Sequence, residues 1–148
     1  MTIAQTSTTS FKVELLQAVH NFGPTSPNTF KIALYTALAT IGPDTTVYTT
    51  TAEVVGTGYT AGGNTLVIST SPTSGNNNAS VPTAYISFAN SSWASASFTA
   101  RGALIYNSTQ GNKSVAVLDF GADKTVAGTT FEIVFPTANA TSAIVRIS

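Results

Sequence analysis

Apolar residues recur at helical spacing once, near the start of the chain, and at strand spacing almost everywhere after it. Phe11, Leu15, Ala18, Val19 and Phe22 fall on one face of a 3.6-residue period, which predicts an amphipathic helix over 11–22. Ser10 can cap its start, while Gly23 and Pro24 supply a stop. The preceding residues, 1–9, are mostly polar and read as a flexible arm, leaving 10–148 as one domain.

From residue 29 onward the pattern is that of strands. In Thr29–Thr36, Phe30, Ile32 and Leu34 share one side, the alternation of a half-buried strand. Val47–Thr49 is a short strand candidate after the turn residues Ile41–Asp44. Ser71–Asn78 is polar throughout and reads as a surface loop. Alternation resumes at Ala84–Ala89, with Ile86 and Phe88 facing inward, and continues through Trp93–Thr99 and Ala103–Tyr106. Asn107–Asn112 has hairpin chemistry, and Val115–Phe120, Thr130–Phe135 and Ala143–Ile147 follow, with a turn at Gly121–Lys124. Short strands at this spacing predict an antiparallel β-sandwich, jelly-roll-like, with one N-terminal α-helix across an open edge or end.

One stretch departs from simple alternation. Val54–Leu66 gathers four glycines (Gly56, Gly58, Gly62 and Gly63) around Tyr59, with β-branched flanks that read as strands. A phosphate cradle needs either a Lys-Ser/Thr after the glycines or a helix whose N-terminus holds the anion. Here the dinucleotide glycine spacing is missed by one residue, an apolar strand follows, and no Lys or Arg occurs between Lys31 and Arg101. The segment is therefore read as a shaped connection anchored by Tyr59.

Composition narrows the function. Only 8% of the residues are charged, six basic and six acidic, against about a quarter in ordinary soluble domains, so Ser, Thr, Asn, Gly and Ala must cover the surface. Charge repulsion cannot keep such a chain apart from its neighbours, which suggests a subunit docked in an assembly. No basic footprint for nucleic acid is present, and no apolar run reaches the ~20 residues of a membrane span. The absence of cysteine removes disulfides and thiolate metal sites. The first nine residues lack the basic start and apolar core of a signal peptide, so folding in a cytoplasm is expected and the five Asn-x-Ser/Thr triplets read as compositional coincidence.

Candidate chemistry is sparse. His20, the one histidine, is placed late in the predicted helix, where a partial charge suits the dipole, and no nucleophile elbow accompanies it. Asp119 and Asp123 flank a turn and read as turn caps, since calcium needs a denser set of oxygens. Glu132 alternates with Phe131 and Ile133 and is expected to face solvent. Arg101, isolated in an uncharged region, is expected to pair with a carboxylate, within the chain or across an interface. No catalytic residue, cofactor or metal is assigned.

The order of elements is similar to that of small virion structural proteins of tailed bacteriophages. Its most specific parts are the block Gly56-Thr57-Gly58-Tyr59-Thr60-Ala61-Gly62-Gly63 and the block Ala100-Arg101-Gly102-Ala103-Leu104-Ile105-Tyr106, supported by Phe30–Tyr35 and Leu118–Gly121. The resemblance implies a non-enzymatic virion structural protein of the head or tail, capsid decoration (cement) more than tail. It implies as partners the major capsid protein or other virion proteins and further copies of this chain, a trimer among the arrangements, with neither nucleic acid nor membrane, in a virion assembled in the host cytoplasm. The arm 1–9 and the helix face are the docking candidates, so Phe11, Leu15, Phe22, Tyr59 and Arg101 are the expected interface residues. The alternative is a tail- or fibre-associated module that binds host glycan, with Tyr59, Tyr85, Trp93 and Tyr106 as stacking rings.

Overall fold

A computed structural model describes residues 1–148 and shows a mainly β protein of two antiparallel sheets and one short helix, a β-sandwich as expected. The elements are β1 (Thr6–Ser7), α1 (Thr9–Leu16), β2 (Phe30–Tyr35), β3 (Asn64–Leu66), β4 (Ile68–Asn76), β5 (Pro82–Phe88), β6 (Ser91–Asn107), β7 (Lys113–Ile133) and β8 (Val145–Ile147). The larger sheet runs β1-β7-β6-β2-β3 and the smaller β4-β5-β8. The main core draws Phe30, Ile32 and Leu34 from β2, Ile105 from β6, Leu118 from β7, and Ile86 and Phe88 from β5. Both sheets thus bury their inward residues against each other, the packing that period-2 alternation requires.

The strand β2 departs from half-burial. Ala33 and Tyr35, which alternation places on an outer solvent face, are 0% exposed. They lie in a second apolar cluster with Ile3, Ala39, Ile41, Leu104, Tyr106 and Val117. The segment between β2 and β3, together with the N-terminal residues, covers that face. Residues 1–9 are accordingly no free arm. Ile3 bridges Ile41 in parallel, Thr6 and Ser7 pair with Val117 and Ala116, and Thr8 is fully buried. Ile3 finds a pocket because position 102 is glycine, whose absent Cβ would lie 2.8 Å from the Ile3 Cγ2.

Helix α1 is shorter than its apolar period. The Thr8 side chain, not Ser10, caps it by accepting from the Phe11 N–H, and the helix stops at Leu16. Ala18 adopts φ 58°, with its N–H donating to the Leu15 carbonyl and that of Val19 to the Glu14 carbonyl, a Schellman closure with alanine where glycine is usual. The chain turns there because His20 and Phe22 gain more in the core than on a helix flank. Phe22 stacks on Phe30 with ring centroids 4.3 Å apart.

Two loop and two strand assignments also change. The polar stretch 71–76 lies in β4, a largely exposed edge strand held by backbone pairing to β5, and the turn falls at Asn77–Ser80. Polar side chains on an edge carry no burial signal, and Pro72 with the register shifts between Ile68 and Thr73 blunts the edge against foreign pairing. Gly121–Lys124 does not separate two strands. Gly102 faces Asp119 and Ala100 faces Lys124, so the intervening residues of β7 bulge out from a continuous ribbon with β6. Val47–Thr49 forms only an isolated bridge, Val47 to Lys113, and Val54–Val55 is loop.

Candidate functional site

The glycine-rich connection is built around a carboxylate. Glu53, 7% exposed, accepts from the Tyr59 hydroxyl at 2.6 Å and the Gly62 N–H at 2.7 Å through Oε1, and from the Tyr48 hydroxyl at 2.7 Å through Oε2. The Tyr59 oxygen in turn accepts from the Leu34 N–H at 2.9 Å, and the Tyr106 hydroxyl donates to the Gly62 carbonyl at 2.8 Å. Tyr59 is thus the anchor expected from the sequence, but its partner Glu53 was missed. The available signal was that Glu53 is the one acidic residue between Asp44 and Asp119, with Tyr48 and Tyr59 on either side.

Burial, then hydrogen bonding to Glu53, pushes the Tyr59 and Tyr48 hydroxyls well above the ordinary tyrosine value of 10.0. Burial and the Glu53 charge push Tyr106 up to about 12. A raised folded pKa stabilises the fold fully below the unfolded value and less as pH rises beyond it. Stability is therefore expected to fall from pH 10 upward, seen as a lower urea midpoint at pH 11 than at pH 9, with a shallower decline in Tyr59→Phe.

A second polar chain sits under α1. Lys113 Nζ donates to Glu14 Oε1 at 2.7 Å, Glu14 Oε2 lies 2.8 Å from His20 Nε2, and His20 Nδ1 lies 3.0 Å from Asn107 Nδ2. His20 lies beyond the helix rather than within it, its side chain is 0% exposed, and both ring nitrogens are engaged. The expected dipole contact is therefore replaced by a core hydrogen-bond network. Burial works against the Glu14 carboxylate, but the Lys113 and His20 hydrogen bonds outweigh it and hold Glu14 below its usual 4.5. A depressed carboxyl stabilises the fold above its unfolded pKa and less as pH falls through the folded one. Acid is thus expected to lower the thermal midpoint below pH 4.5, and Glu14→Gln to flatten that slope.

Arg101 pairs with Asp119, the carboxylate partner its isolation called for. The Gly121 N–H, donating at 2.9 Å, and the Arg101 guanidinium hold the Asp119 carboxyl below its usual value. Asp119 thus caps the bulge, Asp123 is exposed apart from it, and Glu132 faces solvent. No three His, Asp or Glu side chains gather where a metal could sit.

The five expected interface residues separate. Phe11 and Phe22, 2% and 7% exposed, belong to this chain's own core. Tyr59 is half-buried with its hydroxyl bound, and Arg101 is half-buried in its ion pair. Leu15 is half-buried at the rim of an apolar cavity of about 370 Å³, which Phe11, Phe22, Tyr85, Ile86 and Ile147 also line. The side chains that do project are others: Leu16 at 91%, Val55 at 94% and Val134 at 66% exposure. Of the proposed stacking rings, Trp93 and Tyr106 are 4% and 2% exposed, so neither offers a face to a sugar. The Trp93 indole N–H has no partner within the chain.

The fold and these clusters define a mainly β two-sheet protein whose polar networks fix loops rather than meet solvent. No protein-family model, curated protein or solved structure matches the chain.

Proposed function

We propose that this chain is a non-enzymatic structural subunit of a phage virion, a capsid decoration protein that docks on the assembled head and stabilises it. The observation that carries the reading is the surface: a chain with 8% charged residues and zero formal net charge leaves large apolar side chains such as Leu16 and Val55 almost fully exposed. Such a surface lacks the charge that keeps free proteins apart and suits one covered by neighbours. Binding only the assembled shell would stabilise it by mass action. The buried clusters add to this, because they make a rigid body that loses little conformational freedom on docking.

The test is copy number and position in particles purified from cells that express this chain. Mass spectrometry and cryo-electron microscopy should find hundreds of copies on the outer shell. A dozen or fewer at the neck or tail would move the protein there, and absence from the particle would end the proposal. Leu16→Asp, at an exposed helix position, should leave the thermal midpoint within a few degrees of wild type. It should reduce shell occupancy if α1 is the docked face.

A further inference from the structure

The His20 ring is held by neighbours that accept it in only one protonation state. Its Nε2 faces a carboxylate oxygen of Glu14, which can only accept, so Nε2 carries the proton. Its Nδ1 faces the Asn107 amide nitrogen, which can only donate, so Nδ1 must be bare. Asn107 cannot turn over to relieve this. Its Oδ1 accepts from the Thr109 and Gln110 N–H groups at 3.1 and 3.3 Å, and its Nδ2 also donates to Asn28 Oδ1 at 2.9 Å.

We propose that His20 is an acid-sensitive latch whose neutral ring holds α1 and residues 17–28 on the larger sheet, and whose protonation releases them. A proton on Nδ1 would point at the Asn107 N–H2 group, setting two donors against each other at a buried site. Turning the amide would instead oppose it to two backbone N–H groups and break the link to Asn28. The groups around the ring give limited compensation. Glu14 from α1 would attract the new charge, but it already binds Lys113 of β7, whose own charge opposes a second cation. From the remaining elements the ring meets Phe11, Phe22 and Phe30, and Tyr85 of β5 lines the same cavity. Imidazole is the side chain whose ordinary charge change falls between pH 5 and 8, so pH 8 and pH 5 are the two conditions to compare.

Nitrogen-15 NMR of the ring at pH 8 should find the Nε2–H tautomer. Between pH 8 and pH 5, amide-exchange protection of residues 11–20, corrected for intrinsic exchange, should drop at least about tenfold, the scale of one lost buried hydrogen bond. Protection in the centres of β2 and β6 should change less. Asn107→Asp, which offers Nδ1–H an acceptor, should abolish or reverse the drop, and His20→Gln, which does not titrate, should remove it. Protection that stays constant or rises toward pH 5 in the unaltered protein would overturn the latch, as would an Nδ1–H tautomer or an imidazolium at pH 8. Both readouts use the unaltered chain, so the result stands even if a variant fails to fold.

Discussion

Gly63→Ala is expected to abolish stable folding at 25 °C, or to lower unfolding free energy by about 4 kcal/mol or more where a folded fraction survives. Gly63 has φ +67°, and a Cβ there would press on the Ile32 carbonyl, 2.6 Å from its carbon and 2.8 Å from Ala33 Cα. These are backbone atoms of a central strand and cannot yield without breaking the β2–β3 pairing of Ile32 with Asn64. Gly111→Ala is the control. Gly111 has φ +68°, but no atom lies within 4 Å of the added Cβ, so only conformational strain of about 1 kcal/mol is expected. Urea unfolding of the two variants separates strain from collision. Equal costs would mean that the close approach of the glycine loop to β2 does not matter.

Glu53→Ala should cost about 3–5 kcal/mol, because it strands the Gly62 N–H and the Tyr48 and Tyr59 hydroxyls at once. Tyr59→Phe should cost less, about 1–2 kcal/mol, since the Glu53 carboxylate keeps two donors. The double variant should be far from additive, because both changes break one network. Additive denaturation energies would show that Glu53 and Tyr59 stabilise the loop separately. Crystals of Tyr59→Phe should keep the loop path, whereas in Glu53→Ala residues 56–63 should shift away from β2.

These two residues also mark the limit of what the chain discloses unfolded. Tyr59 was legible as an anchor because it stands alone among glycines. Glu53 was not, because its isolation between two tyrosines does not by itself separate a buried acceptor from a solvated acid; its donors come from positions 48, 59 and 62 only once the loop closes. Arg101 shows the opposite case: a lone guanidinium in an uncharged region needs a carboxylate wherever the chain goes, and Asp119 supplies it.

What the sequence determined by itself was whatever a side chain signals through its own spacing. Period-2 alternation specified a sandwich of antiparallel strands, Ile86 and Phe88 as core, and the hairpin at Asn107–Asn112, because alternation and turn chemistry act within a few residues. Tertiary structure decided the rest. Helix α1 stops at Leu16, not Phe22, because the aromatic cluster of Phe22, Phe30 and His20 outweighs helical propensity. Residues 1–9 are tied down because Gly102 leaves room for Ile3 on a distant strand. The polar stretch 71–76 is strand because β5 offers it hydrogen bonds. The glycine block Gly56–Gly63, which lacks the residues of a phosphate cradle, does bind a carboxylate through the Gly62 amide, but one that belongs to the chain itself. In each case the deciding partner lies outside the element it decides, and contacts between separate elements leave no local periodicity to read.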